Sequence, residues 1–217
     1  LTNSSLNAQG LIVDSGANLN INKSNLQTTS ATEGYLQISA KNNLDLNNSN
    51  IDSNTAYISA GNNINLNDNN IDTNITSIAA GKNINLLGNN INAADTLQIA
   101  AGGDLNIATR QTTTTSSSSK TSGRSTQTTN STTTTNSGFN SLSGGNIALS
   151  SGGDTNITAA NLNADNTLQI DAGGNLNIKS ATNSTTTTNN AATQYDQVFR
   201  INKRRYGIRT LTNYDTQ

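Results

Sequence analysis

Ile78-Ala79-Ala80-Gly81-Lys82-Asn83-Ile84-Asn85-Leu86 decides the fold, because the same phrase is written four times along the chain. Ile38-Ser39-Ala40-Lys41-Asn42-Asn43-Leu44-Asp45-Leu46 and Ile58-Ser59-Ala60-Gly61-Asn62-Asn63-Ile64-Asn65-Leu66 precede it at offsets of twenty residues. Ile99-Ala100-Ala101-Gly102-Gly103-Asp104-Leu105-Asn106-Ile107 follows after twenty-one. A fixed short period marks a solenoid, whose units are too small to bury an apolar face alone and rely on stacked neighbours.

Within one unit the apolar residues fall at Leu36 and Ile38, then Leu44 and Leu46, then Ile51. Pairs two apart have the strand period, one side chain inward, one outward, one inward. No i, i+3, i+4, i+7 stripe persists, and Asn, Gly, Ser and Thr fill the gaps, which argues against helix. Three short inward-facing stretches separated by polar corners therefore describe one roughly triangular coil. The expected core ladder is Leu36, Ile38, Leu44, Leu46, Ile51, Ile58, Ile64, Leu66, Ile71, Ile78, Ile84, Leu86, Ile91, Leu97, Ile99, Leu105 and Ile107. Less regular copies run from Leu11 to Leu26 and from Ile147 to Ile178, giving about eight coils. At the ~4.8 Å spacing of paired strands, these make a stack on the order of 40 Å long.

Gly61, Gly81, Gly102, Gly103, Gly152, Gly153, Gly173 and Gly174 recur at one corner, followed by Asn or Asp. The sequence expectation is that these residues supply positive φ. A second corner repeats Asn47, Asn48, Asn50, Asn67, Asn69, Asn70, Asn89 and Asn90. Stacked one coil apart, such side chains can form hydrogen-bonded ladders.

Composition agrees with a thin core. Of 217 residues 31% are hydrophobic and 3% aromatic, too little for a thick globular interior. The net charge is −1 with 12% charged residues, so solubility rests on Asn, Ser and Thr. Cys and His are absent, which removes thiolate ligands, disulfides and the commonest general base. The lack of Cys and Pro also suits a chain that crosses membranes unfolded and folds outside. No signal-like segment opens the chain and Leu1 lies mid-pattern, so the sequence is expected to be a piece of something longer.

Two segments leave the repeat. The expected organisation is coils over 1–107, a Thr/Ser-rich excursion over 108–143, coils over 144–178, then a second Thr-rich excursion and a basic aromatic tail over 179–217. The first excursion fits a flexible low-complexity linker, or a two-stranded hairpin turning at Gly123-Arg124.

Chemistry is sparse. Asp104, Asp154 and Asp171 lie near paired glycines, but calcium-binding repeats need an acidic Gly-rich motif in tandem, so the turn-forming role is favoured and no metal site is expected. Asp52 and Asp72 align one coil apart beside Asn92 and are the carboxylate pair that a polysaccharide-active β-helix would use. With no His, one Glu and few bases along the coils, no catalytic residue and no cofactor are expected, and the outward solvated ladder is favoured. Thr ranks that would bind ice are missing from the coils. Arg200, Lys203, Arg204, Arg205, Tyr206 and Arg209 interleave base and aromatic in the tail. They fit a strand capping the coils or a contact surface for a partner or an outer-membrane glycolipid.

Leu97–Thr129, LQIAAGGDLNIATRQTTTTSSSSKTSGRSTQTT, and Leu168–Asn190, LQIDAGGNLNIKSATNSTTTTNN, closely resemble the haemagglutinin repeats of large two-partner secreted exoproteins. Those include filamentous haemagglutinin adhesins and the effector filaments of contact-dependent growth inhibition. Tyr206-Gly207-Ile208-Arg209 before Thr-rich sequence resembles a departure in the second repeat region of the growth-inhibition effectors. The resemblance implies an all-β, right-handed parallel β-helix, secreted by an outer-membrane transporter partner and displayed on a Gram-negative surface. It implies a non-enzymatic stalk, a monomeric filament meeting a target outer membrane or surface receptor, in toxin delivery or in adhesion, with no nucleic-acid partner.

Overall fold

The computed structural model describes residues 1–30, 32–201 and 204–216, with side chains for those up to residue 192. All regular structure among them is β-strand. The chain forms two compact units, residues 1–110 with 136–181, and residues 111–135 with 182–217.

The first unit begins with β1 (Ser5–Ala8), β2 (Gly10–Ser15), β3 (Leu19–Asn22) and β4 (Asn25–Thr28). It continues through β5 (Tyr35–Ala40), β6 (Leu44–Asn47), β7 (Asn50–Ala60), β8 (Ile64–Asn67), β9 (Asn70–Ala80), β10 (Ile84–Leu87), β11 (Asn90–Ala101) and β12 (Leu105–Ala108). After β13 (Arg110–Ser122) and β14 (Ser125–Ser137) the coils resume as β15 (Ser141–Ser151), β16 (Thr155–Thr158), β17 (Asn161–Ala172) and β18 (Leu176–Lys179). The described chain ends with β19 (Ser184–Ile201) and β20 (Arg204–Thr216).

Every strand of the coils pairs in parallel with its counterpart one coil away, so the first unit is a parallel β-solenoid of about eight turns. One sheet stacks seven strands in the order β18-β16-β12-β10-β8-β6-β3. In the other, Leu26 of β4 faces Ile51 and Leu36 of β5 faces Ala56, so two faces that are separate strands early on become the halves of one bent strand, β7. The three expected stretches per coil are thus present.

All seventeen residues of the expected ladder lie in the buried core, each at 0 or 1% exposure. A Leu or Ile so enclosed contributes about 1.5–3 kcal/mol relative to an exposed one. The interior is not purely apolar. Thr73 and Thr76 are buried and join their hydroxyls at 2.6 Å, filling space that Ala56 and Ala93 leave in adjacent coils. The twenty-one-residue step has a local cause: one residue, Asn74, separates Thr73 from Ile75, whereas Ala94 and Asp95 separate the paired positions Ala93 and Thr96. The extra residue is a bulge at the bend between two faces, so the ladder keeps its inward side.

The repeated corner glycines do a different job from the one expected of them. None of Gly61, Gly81, Gly102, Gly152 or Gly173 has positive φ; a Cβ on each would instead strike the carbonyl oxygen of the corner residue one coil back. They permit close approach of successive coils. Positive φ occurs at the Asn-rich corner, at Lys23 (50°), Asn48 (49°), Asp68 (54°), Gly88 (73°) and Ala159 (47°).

Asn ladders run along both corners, in opposite senses. Beside the glycines, backbone N–H groups donate toward the preceding coil, from Asn43 to Asn18 Oδ1 and onward through Asn63, Asn83, Asp104 and Asp154 to Asn175. At the other corner they donate toward the following coil, from Ser24 to Ser49, then Asn69, Asn89 and Asn140. No buried side-chain nitrogen or oxygen among the described residues lacks a partner.

In the second unit the strand order is β13-β14-β19-β20, and the pairings of β14 with β19 and of β19 with β20 are antiparallel. Of the two readings open for the first excursion, the structure takes the hairpin. The two-residue turn Gly123-Arg124 joins β13 to β14, with Gly123 at φ 60°. Ser141–Ser143 already pair with Asn90–Asn92, so coil structure resumes inside the 108–143 segment.

Candidate functional site

The place where the solenoid releases the first hairpin is its most elaborated local structure. The chain leaves after Ala108 and returns at Asn140, which is fully buried and aligned with Asn89 of the preceding coil. Asn89 donates its amide to one backbone carbonyl, Leu66 O at 2.7 Å, and to the Asn140 side-chain oxygen at 3.2 Å. Asn140 donates to two backbone carbonyls, Leu86 O at 3.1 Å and Ala108 O at 2.7 Å, and so ties the outgoing foot of the hairpin to the returning one.

Two glycines complete this corner. Gly138, at φ 63°, lies over Gly88, where a Cβ would come 3.6 Å from the Gly88 Cα. A side chain on Gly88 would meet the Asp68 carboxylate, which reaches past it to pair with the Arg110 guanidinium. Arg110 and Asp68 are 43% and 30% exposed, so the pair contributes about 0–1 kcal/mol and acts mainly as a guide for the outgoing strand. Neither the Asn140 clamp nor this pair was foreseen. The available signal was alignment: Asn140 continues the Asn69, Asn89 column once residues 109–139 are set aside. The second departure begins after β18, which occupies the same place in its coil as β12.

Asp52 and Asp72 are paired in register on the outer face and exposed. Asp52 accepts a hydrogen bond from Gln27 Nε2 at 3.2 Å, and Asp72 accepts one from Asn92 Nδ2 at 2.9 Å. Asn92 in turn accepts from Ser143 Oγ at 2.9 Å, so the two acids are rungs in a polar column beside an open groove of about 370 Å³. Both acids are exposed, whereas glycoside chemistry can use one buried acid beside one exposed.

Asp104 and Asp154 spend their carboxylates as acceptors in the corner ladder, and Asp171 lies apart on β17 opposite Ser150. No group of three or more His, Cys, Asp or Glu that could hold a metal occurs among the described residues.

Two further outward features went unremarked in the sequence. Tyr35 and Tyr57 pack diagonally across β5 and β7, their rings tilted at 44° with centroids 5.6 Å apart, and the Tyr35 hydroxyl donates to Gln37 Oε1 at 2.8 Å. Phe139, beside the Asn140 clamp, is 54% exposed. In the basic tail, the backbone register sets Arg200 opposite Arg205, Ile201 opposite Arg204 and Gln197 opposite Arg209. Lys203 lies outside the described residues, as do the side chains of Arg200, Arg204, Arg205, Tyr206 and Arg209.

A parallel β-solenoid with a Leu/Ile interior, polar ladders outside and Thr/Ser-rich strands leaving after β12 defines a structural class, the repeat β-solenoids. Residues 67–123 and 121–195 both match the hemagglutinin repeat family, together more than half of the chain, and the chain belongs to that family. It is a filamentous haemagglutinin-like repeat segment, of a kind typically structural or adhesive rather than enzymatic, and found in secreted proteins of the cell surface. No curated protein and no solved structure matches it.

Proposed function

We propose that this chain is a stalk segment of a contact-dependent growth inhibition effector, in which the coils bear the load and the Thr/Ser-rich strands meet the target envelope. The observation that carries this reading is the joining of two separate excursions, β13–β14 and β19–β20, into a single ordered sheet through the β14–β19 pairing. Linkers need no such register, whereas a presented surface does. In this reading the coils at 1–107 and 144–178 are the shaft, and the excursions within 108–143 and 179–217, with the basic tail, are the contact regions.

The same construction suits export. The chain would leave a Gram-negative cell through an outer-membrane transporter partner, and each coil, once folded outside, buries its Leu/Ile set on the one before and opposes backsliding.

The clean test replaces residues 109–139 by one glycine in the intact exoprotein. That restores the Leu87-Gly88-Asn89 spacing as Ala108-Gly-Asn140, so the coils are kept and the hairpin is lost. Delivery of a carboxy-terminal toxin to target cells should fall at least tenfold while cell binding persists; unchanged delivery would refute the contact role.

The hemagglutinin repeat match itself favours a second reading, a filamentous adhesin. Purified protein would then bind host cells or matrix glycans in preference to bacteria.

A further inference from the structure

We propose that β13 is a pairing edge, at which the Thr/Ser sheet of one chain joins that of a second copy by antiparallel strand addition about a two-fold axis. This goes beyond the stalk reading and does not depend on it. It also departs from the monomeric filament expected from the sequence, since the coils alone gave no reason for self-association.

The edge is open. β13 is terminal in the four-stranded sheet, and all thirteen of its residues are exposed. Hydroxyl contacts at both ends, Thr113 with Thr134 and Thr121 with Thr126, hold one register without a bulge. The usual protections of an edge are proline, bulges, dense charge or a covering segment. Here there is no proline anywhere in the chain, and β13 carries only Arg110 and Lys120 as charges.

The hairpin geometry says which groups are free. In a two-residue hairpin the flanking residues, Ser122 and Ser125, exchange hydrogen bonds, and alternate residues do so along the strand. The even-numbered residues of β13 therefore bond to β14, and the odd-numbered ones, 111 to 121, turn their N–H and C=O groups outward. A long row of outward amides and carbonyls is the template for strand addition.

A second copy fits that template for two reasons. The sheet already pairs Thr strands with Thr strands: Thr132 faces Thr186 and Thr133 faces Thr185, with the latter hydroxyls 3.4 Å apart. Charge excludes the register centred on Thr115, which would set Arg110 against Lys120. If Ser116 faces Ser116 of the second copy, the odd residues bond across the axis, Arg110 lies opposite Ser122 and Lys120 opposite Thr112, so no like charges meet. The contact is then isologous and closes as a dimer.

The chain has no cysteine, so single introduced thiols report the register cleanly. Residues facing each other in a non-hydrogen-bonded antiparallel pair have Cα atoms about 4.5 Å apart, within disulfide reach. Under mild oxidation Ser116→Cys should give a covalent dimer. Thr112→Cys and Lys120→Cys should each remain largely monomeric alone and cross-link when mixed. Ser117→Pro removes one outward N–H without touching the β14 pairing, so it should keep the circular dichroism of the parent and raise the dimer dissociation constant in sedimentation at least tenfold. A parent chain that stays monomeric over a wide concentration range overturns the proposal. So does a Ser117→Pro variant that dimerises equally well, or Thr112→Cys alone cross-linking as readily as the mixture.

Discussion

The coils and the Thr/Ser sheet draw on much the same polar alphabet and hold together differently. In the coils each strand gives one face to a sealed Leu/Ile interior, with residues such as Leu44, Ile64 and Ile84 at 0% exposure, and the polar ladders lie outside. In the sheet, β13 is exposed at every position and β14 buries no residue fully, so backbone pairing and hydroxyl contacts supply the cohesion. The lesson is that the Thr and Ser runs of β13 and β14 form ordered strands with no fully buried residue of their own, provided that another strand of the same kind is in register. Stability should accordingly be concentrated in the coils, and substitutions should separate the two regions.

The largest separation comes from charging the ladder. Ile84→Asp with Leu86→Asp puts two carboxylates where both side chains are essentially unexposed, with no partner of opposite charge inside. A loss on the order of 5 kcal/mol or more follows from lost burial and uncompensated desolvation. Hydrogen exchange should show the coils from β8 to β12 opened while β14 keeps its protection, and surface display of the exported filament should fall.

Next is Gly102→Ala. A Cβ there would fall on the Gly81 carbonyl oxygen, so the two coils must move apart at that corner. A cost of about 2–3 kcal/mol is expected, read as a lower urea midpoint. Gly123→Ala in the hairpin turn meets nothing within 4 Å and suffers only from its φ of 60°, about 1 kcal/mol.

That contrast marks where the sequence could be read and where it misled. The Leu/Ile ladder was legible because period-two pairs recur at one spacing, and the corner glycines were legible as a repeat. Their reason was not: a single sequence cannot distinguish a glycine needed for positive φ from one needed for close approach, since only the stacked coil supplies the colliding carbonyl. The sequence favoured a flexible linker over a hairpin for residues 108–143, where the structure has two strands, because Thr and Ser runs have no apolar alternation to reveal which side faces a neighbour. Asp68 and Arg110 are forty-two residues apart and become neighbours only through coil stacking.

Asn140→Ala comes third. It removes both amide bonds at the hairpin feet and leaves the Ala108 carbonyl and the Asn89 N–H without their partner, a loss of about 2 kcal/mol. Asn90→Ala, on the exposed ladder one residue along from Asn89, removes a solvent-facing rung at 2.8 Å from Asn70 and should cost about 0.5 kcal/mol. If the two variants were equally mild in urea titration, the clamp would be idle.

The finest test places one substitution in both regions. Thr→Val conserves shape and favours strands, so what changes is the hydroxyl. In the coil, Thr76 is fully buried and its hydroxyl meets that of Thr73 at 2.6 Å; Thr76→Val leaves Thr73 with only a 3.5 Å contact to Asn92 O and should cost about 1 kcal/mol. In the sheet, the Thr133 hydroxyl lies 3.4 Å from that of Thr185 in an exposed contact, where water substitutes for the lost partner, so Thr133→Val should change stability by less than about 0.5 kcal/mol. Equal losses in thermal melts of the two variants would mean that the sheet's hydroxyl contacts bind as firmly as buried ones, and the division of labour between a sealed shaft and an adaptable surface would have to be redrawn.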